Sequence, residues 1–416
     1  MNYFIKQYKN SINQEICSIN LPSSKSESNR LLIMNALSGE KITIENLSSA
    51  RDTQTLIRLL KNEKDLNTFD VLDAGTAMRF LTAYFAVSTK KEVVITGTER
   101  MQKRPIGILV NALKSIGAEI SYENEEGYPP LRIKSFQKQT SSKISIPGNI
   151  SSQYISALLM IAPSLPQGLE INIEPPVFSK PYIDMTLGLM QLSGIQYSQN
   201  DYLISIKHQN YQESKQSVES DWSAASYWFS IIAQSEIGRK VFLKGLKSKS
   251  FQGDNVIKDI AKDFGVSFQF QENGVLLEKT DIVRKKTLKL DFKKCPDLAQ
   301  TVLPCAASLN IDLEMTGLES LRIKETDRIS ALQNELSKFN CQLTEPEKGT
   351  WKLESSIFTA KENIEIETYE DHRMAMGFAP LALKTGIQIK DIEVVNKSYP
   401  SFWEDLELFG FDLIEQ

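Results

Sequence analysis

A chain of 416 residues, 41% hydrophobic and 24% charged, has the make-up of an ordinary globular protein with room for two or three separately cored domains. A net charge of −4 gives no pull toward nucleic acid or an anionic membrane surface, and the longest apolar runs, such as ISALLMIA, are too short to span a bilayer. Four cysteines without metal-binding spacing and only two histidines, His208 and His372, argue against a zinc or iron centre, so the chemistry falls to Lys, Arg, carboxylates and hydroxyls.

In chain order, the start MNYFIKQYKNS lacks the apolar stretch of a secretory leader, which points to the cytoplasm. Strands are predicted at KITIENL (41–47), EVVITG (92–97), LEINIE (169–174), KVFLKGL (240–246), DLEMTGL (312–318) and IQIKDIEVV (387–395). After a short first interval of about 50 residues their starts recur every 70–77 or so, the mark of a sixfold internal repeat. Polar loops follow the strands. Amphipathic helices come next, as in RPIGILVNALKSIGAEI, PYIDMTLGLMQLSGIQY, DNVIKDIAKDFGVSF, ETDRISALQNELSKFNCQL and SFWEDLELFGFDL.

A second helix family runs in phase, beginning near Ser24, Ala74, Asn149, Asp221, Pro296 and Glu370. These bodies are apolar on nearly all sides, which predicts helices buried in the middle of a domain. Their polar starts would serve as caps for free N–H groups. Capping does not call for cations, yet Lys25, Arg30, Arg79 and Arg373 fall in or near the first turns. The helix dipole disfavours positive charge there unless an anion is bound between.

The strand-to-helix loops carry more cations: Arg100 and Arg104 in TERMQKRP, Arg322, Lys324 and Arg328 in ESLRIKETDR, and Lys397 in NKSYPSF. Lys103 and Arg322, taken alone, read as solvated loop charges. Loops at strand ends in a repeat architecture share a face, so Lys25, Arg104, Lys324, Arg328, Arg373 and Lys397 could together hold two multiply charged ligands, phosphates or carboxylates. Two carboxylates stand beside them, Asp297 and Glu325. Their plain readings are a helix cap and a surface ion pair; their chemical reading is proton transfer to and from a substrate.

The motifs LPSSKSESNR (21–30), LDAGTAMR (72–79), RMQKRP (100–105), SSQY (151–154), SKPYID (179–184), KETDR (324–328) and DHRMAM (371–376), in this order, resemble the enolpyruvyl transferase family from about Leu21 to Trp403. The resemblance implies an α/β fold of two domains, a pseudo-sixfold repeat of βαβαββ units forming an inside-out α/β barrel. Residues 23–218 would be one domain, 1–22 and 219–416 the other, with the active site in the cleft between them. It implies transfer of the enolpyruvyl group of phosphoenolpyruvate to the 5-hydroxyl of shikimate 3-phosphate, with no cofactor or metal, no nucleic-acid or membrane partner, and a monomer. Carried over by position, Lys25, Gly75, Arg104, Gln153, Arg328, Arg373 and Lys397 would hold phosphoenolpyruvate. Lys25, Ser26, Arg30, Ser151, Ser152, Gln153, Ser179, Asp297, Ser320 and Lys324 would hold shikimate 3-phosphate. Asp297 would take the 5-hydroxyl proton, and Glu325 or Lys324 would handle the methylene proton, with Thr76, Arg79, Tyr182 and His372 supporting.

The chain departs from the family pattern at Ser24, where Gly is usual, at Asp73 for Asn, at Phe80 for Pro and at Ser320, where Asn is common. The absence of Cys between Cys17 and Cys295 argues against the sister activity on UDP-N-acetylglucosamine. Retention of both carboxylates and the cation set argues against a non-catalytic anion-binding relative.

Overall fold

The computed structural model describes residues 1–7, 16–281, 283, 285–324, 326–355, 357–359 and 361–416. Six helices carry the apolar segments of the second helix family: α1 (Lys25–Ser38), α2 (Gly75–Ser88), α3 (Ser152–Ile161), α4 (Trp222–Gln234), α5 (Ala299–Ser308) and α6 (His372–Phe378). Burial follows the sequence pattern in α3 to α6, where almost every side chain is enclosed. The exception is α1, which buries Glu27, Ser28, Asn29 and Arg30 beside Leu31, Ile33 and Met34. Asn29 and Arg30 have partners on neighbouring helices, such as Thr53 Oγ1 donating to Asn29 Oδ1 at 2.8 Å, and Ser28 Oγ accepts from the loop amide of Ser48 at 3.0 Å.

The chain divides into two compact units, Ser23–Val218 and Met1–Pro22 with Glu219–Gln416. Each has its own apolar core. The first core is built on α1, α2 and α3, the second on α4, α5 and α6.

Among the described residues, five four-stranded sheets share one plan, a parallel pair extended by two antiparallel strands. In the first unit Thr68–Asp70 runs parallel to Val93–Thr96, and Lys143–Pro147 to Leu169–Glu174. In the second, the parallel pairs are Cys17–Asn20 with Lys240–Lys244, Thr287–Asp291 with Asp312–Thr316, and Ile364–Ile366 with Ile387–Ile389. Hairpins supply the antiparallel half: Ile120–Tyr122 with Leu131–Ile133, Ser198–Asn200 with Leu203–Ile206, Val266–Gln271 with Gly274–Lys279, and Gln342–Glu347 with Thr350–Glu354. In the last sheet Tyr3–Gln7 takes a hairpin strand's place, pairing Ile387–Ile389 on one side and Phe411–Glu415 on the other.

The sixth sheet has two strands, Ile42–Glu45 parallel to Ser214–Ser217. Among the described residues no hairpin follows the helix Arg51–Lys61; the chain goes straight to Thr68–Asp70. This accounts for the short first interval of the repeat.

Three predicted elements differ. The strand at 387–395 stops at Ile389; Asp391 turns into the left-handed region at φ 47, and Ile392–Lys397 is a 3-10 helix. DNVIKDIAKDF breaks into 3-10, α and 3-10 pieces. The last apolar segment stays α-helical only to Phe378, because Pro380 lacks the N–H needed to continue it.

Candidate active site

In the unit Ser23–Val218, the candidate residues gather at the starts of the three central helices. Ser24 caps α1, its Oγ accepting from Glu27 N at 3.4 Å, and Lys25 opens the helix with its Nζ 3.2 Å from Asp52 Oδ2. Ser24 sits at φ −57, where any residue is at ease, so the usual glycine is not required. Ser151 caps α3 through Gln153 N, and Gln153 Nε2 donates to Thr76 Oγ1 at 3.3 Å on the first turn of α2.

Gly75 opens α2 after Ala74, which has no side chain to cap it. A Cβ at Gly75 would stand 2.7 Å from Arg104 Nη1 and 3.2 Å from Arg79 Nη1. The Arg104 guanidinium therefore lies directly on the helix start. Arg79 binds that start to the loop: Nη1 donates to Gly75 O at 3.2 Å and Nη2 to Pro105 O at 3.3 Å. Tyr154 OH also donates to Pro105 O, at 2.6 Å. Two guanidiniums on the positive end of a long helix make a place for a multiply charged anion.

Arg30 is used differently. Its Nε donates to Thr186 Oγ1 at 2.7 Å, Nη1 to Ser26 O at 2.9 Å, and Nη2 to Ser156 Oγ at 3.0 Å and Tyr182 O at 3.3 Å. Its guanidinium lies 5.4 Å from the Phe80 ring centre and 5.8 Å from that of Tyr182. Burial depresses its pKa to about 10, which leaves it charged at neutral pH. Ser179, at φ 54, starts the helix Lys180–Leu192 that supplies Thr186. Phe80, replacing proline, is fully buried beneath Arg30.

The Asp73 departure has a local answer: Arg51 Nη2 stands 2.8 Å from Asp73 Oδ2, so the added carboxylate comes with a cation.

In the unit holding Glu219–Gln416, Asp297 is the centre of an ionic cluster. Its Oδ1 lies 2.8 Å from Arg328 Nη1 and 3.5 Å from Lys324 Nζ; its Oδ2 lies 3.4 Å from Arg373 Nη2. Arg373 Nη1 also donates to the Asp297 carbonyl at 3.3 Å. Arg328 is almost wholly buried and held from behind, its Nε donating to Asp371 Oδ2 at 2.7 Å. The other oxygen of Asp371 caps α6 through Arg373 N at 2.9 Å and lies 3.7 Å from His372 Nδ1. One buried carboxylate thus aims two arginines, one through its side chain and one through its backbone. Lys397 is buried at the end of its 3-10 helix, and Ser320 is half-buried in the 3-10 turn Glu319–Ile323. Glu325 lies outside the described residues. Arg322 stays at the surface, 3.3 Å from Asp327 and over the Trp351 ring.

Sequence reasoning missed the acids behind the cations: Asp52, Asp371 and the pair Ser223–Asp254. Ser223 Oγ accepts from Arg373 Nη2 at 3.4 Å and donates to Asp254 Oδ2. Only the helix-start position of Ser223, two residues after the cap Asp221, hinted at it.

The chain matches the family model for EPSP synthase (3-phosphoshikimate 1-carboxyvinyltransferase) over residues 10–68 and 62–406. A 3-phosphoshikimate 1-carboxyvinyltransferase of Bacteroides fragilis is 46% identical over 398 residues, spanning 95% of this chain and 96% of the relative. One from Pasteurella multocida is 35% identical, spanning 93% of each. In fold, the chain is similar to EPSP synthase from Acinetobacter baumannii, with TM-score 0.81 over 100% of both chains at 20% identity. These are α/β enzymes of the enolpyruvyl transferase fold. This chain belongs to the EPSP synthase family. Among its described residues no helix is long and apolar enough to cross a membrane.

Proposed function

We propose that the protein transfers the enolpyruvyl group of phosphoenolpyruvate to the 5-hydroxyl of shikimate 3-phosphate, releasing phosphate and 5-enolpyruvylshikimate 3-phosphate. The observation that carries the reading in detail is the Asp297 carboxylate set among Arg328, Arg373 and Lys324. In the resting cluster those cations stabilise its charge and so weaken it as a base. A phosphoenolpyruvate molecule brings a phosphate and a carboxylate that compete for the same guanidiniums. As they are taken up, Asp297 becomes a stronger acceptor when the substrate hydroxyl arrives.

The first step forms the bond from O5 to C2 of the enolpyruvyl group while C3 gains a proton, and Asp297 takes the proton of the 5-hydroxyl. The second breaks the bond from C2 to the phosphate oxygen as C3 loses a proton and the double bond returns. Lys324, with Glu325, serves the C3 proton. Negative charge builds on the phosphate oxygens in the second step, as the bond to C2 breaks, and fixed guanidiniums lower that barrier without reorganising.

Lys25, Arg104 and Gly75 hold the phosphoenolpyruvate anion with Arg328, Arg373, Lys397 and Gln153. Ser26, Ser151, Ser152, Ser179, Ser320 and Lys25 hold shikimate 3-phosphate. Arg30 supports this site by fixing Ser26, Tyr182 and Ser156 in place. The protein is taken to act as a monomer in the cytoplasm. The test is phosphate release from phosphoenolpyruvate with and without shikimate 3-phosphate. Release that requires both substrates supports the reading; release independent of the second, or none, overturns it.

A further inference from the structure

We propose that Asp254 is a positioning residue for Arg373: through the Ser223 hydroxyl it holds the guanidinium, and it takes up a proton when an anionic ligand binds there. The inference rests on the reading above, in which Arg373 grips phosphoenolpyruvate.

Asp254 lies in the 3-10 turn Gly253–Val256 and is 3% exposed. Its Oδ2 accepts a hydrogen bond from the Ser223 hydroxyl, which turns the Ser223 lone pairs toward Arg373 Nη2. Its Oδ1 is buried with no hydrogen-bond partner among the described residues. A carboxylate placed this way is poorly compensated: it has one donor, no direct salt bridge among the described residues, and little water. The groups facing it are Arg373 on α6, Asp297 on the turn Pro296–Leu298, Asp221 at the start of α4, and the Cys295 thiol. Of these only Arg373 is a cation. Burial raises the Asp254 carboxyl to about 6; Arg373 pulls it back, and Asp297 and Asp221 push it further up.

An anion that neutralises Arg373 removes the one opposing charge, so the buried carboxylate becomes more basic and gains a proton. The carboxyl then keeps its shape and its link to Ser223 but no longer opposes the incoming anion. By reciprocity, protonated Asp254 favours the bound anion, and affinity weakens as pH rises and the free enzyme must recruit the proton.

The experiment measures KM for phosphoenolpyruvate in wild-type enzyme and Asp254→Asn between about pH 5 and pH 8. Asparagine mimics the protonated acid and cannot titrate, and the ligand's own ionisation cancels in the ratio of the two. The wild-type to variant KM ratio should be smallest at the acid end and rise by about three- to tenfold toward the alkaline end. A ratio that is flat with pH overturns the proposal. Should Asp254→Asn fail to fold, Ser223→Ala tests the relay. It should raise KM by about three- to tenfold with a smaller change in kcat, the scale of one lost hydrogen bond, and Ser223→Thr should restore it. An unchanged KM in Ser223→Ala, or no recovery in Ser223→Thr, also overturns it. If wild-type enzyme itself shows no phosphate release dependent on shikimate 3-phosphate, the functional reading falls; an active wild type with a flat ratio sinks only this inference.

Discussion

Asp297 is surrounded by Arg328, Lys324 and Arg373, and this fixes what its removal should do. Asp297→Ala takes away the acceptor and leaves the cations, so phosphoenolpyruvate should bind as well as before or better while kcat falls by about 10²–10⁴-fold. Steady-state kinetics with a direct binding titration will check it; near-normal turnover would remove Asp297 as the base. Asp254 makes a separate statement about stability. Its carboxyl rises from 3.8 to about 6, so across that window the folded chain holds a proton that the unfolded chain has released. Stability then declines as pH rises through the window, by on the order of 1–3 kcal/mol for a shift of this kind. Asp254→Asn should remove that slope, melting higher than wild type near pH 8 and by a smaller margin near pH 5. Calorimetry at both ends decides it, and parallel curves would show that the buried carboxylate carries no such penalty. Glu219, also buried, is pushed in the same direction but is opposed by bonds from Ser250, Lys247, Trp222 and Gln252.

At the scale of elements, the start of α2 is the most sensitive joint. Gly75→Ala would place a methyl against Arg104 Nη1, the flexible end of a side chain, so the backbone can stay and the guanidinium must move. We expect a KM for phosphoenolpyruvate raised by roughly tenfold, the effect of one displaced charged contact, with a melting temperature close to wild type. Equal KM values would mean Arg104 does not act from that position. Arg30 should behave the opposite way. It joins α1 to Ser156 of α3 and to Thr186 and Tyr182 of the helix Lys180–Leu192, so Arg30→Met strands buried acceptors. A loss of about 3–5 kcal/mol in chemical denaturation is expected, and a loss below about 1 kcal/mol would show that these bonds do not hold the helices. The central helices and most parallel strands were legible because a long apolar body or a β-branched run announces itself locally. The hairpins were not: Ile120–Tyr122 and Ser198–Asn200 have three residues each, too few to show alternation. The cations were legible because they contradict the helix dipole. Asp254, Ser223 and Asp371 were not, because each matters through a side chain 31 to 150 residues away. The segment 387–395 misled because its apolar spacing suits a strand until Asp391 turns left-handed.

For the whole molecule, the N-terminal segment and the two separate cores lead to a prediction about order of failure. Tyr3–Gln7 is an inner strand, paired to Ile387–Ile389 and to Phe411–Glu415, while Cys17–Asn20 runs beside Lys240–Lys244. Ile5 and Ile19 are fully buried in the core that holds α4, α5 and α6. Removing residues 1–22 therefore unpairs two sheets and uncovers apolar surface in one core. It takes nothing from the other, whose members all lie between Leu31 and Val218. Burying two Ile side chains is worth about 3–6 kcal/mol, and the ladder bonds add to this, so the loss is comparable to a domain's whole stability. A chain beginning at Ser23 should lose amide protection throughout 219–416 while 23–218 keeps its own. Hydrogen exchange read peptide by peptide will show this. The segment 23–218 expressed alone should also melt cooperatively, because its sheets and core close without the rest of the chain. Uniform loss of protection across both units would mean that their stabilities are not separable, and that the repeat folds as one body instead of two.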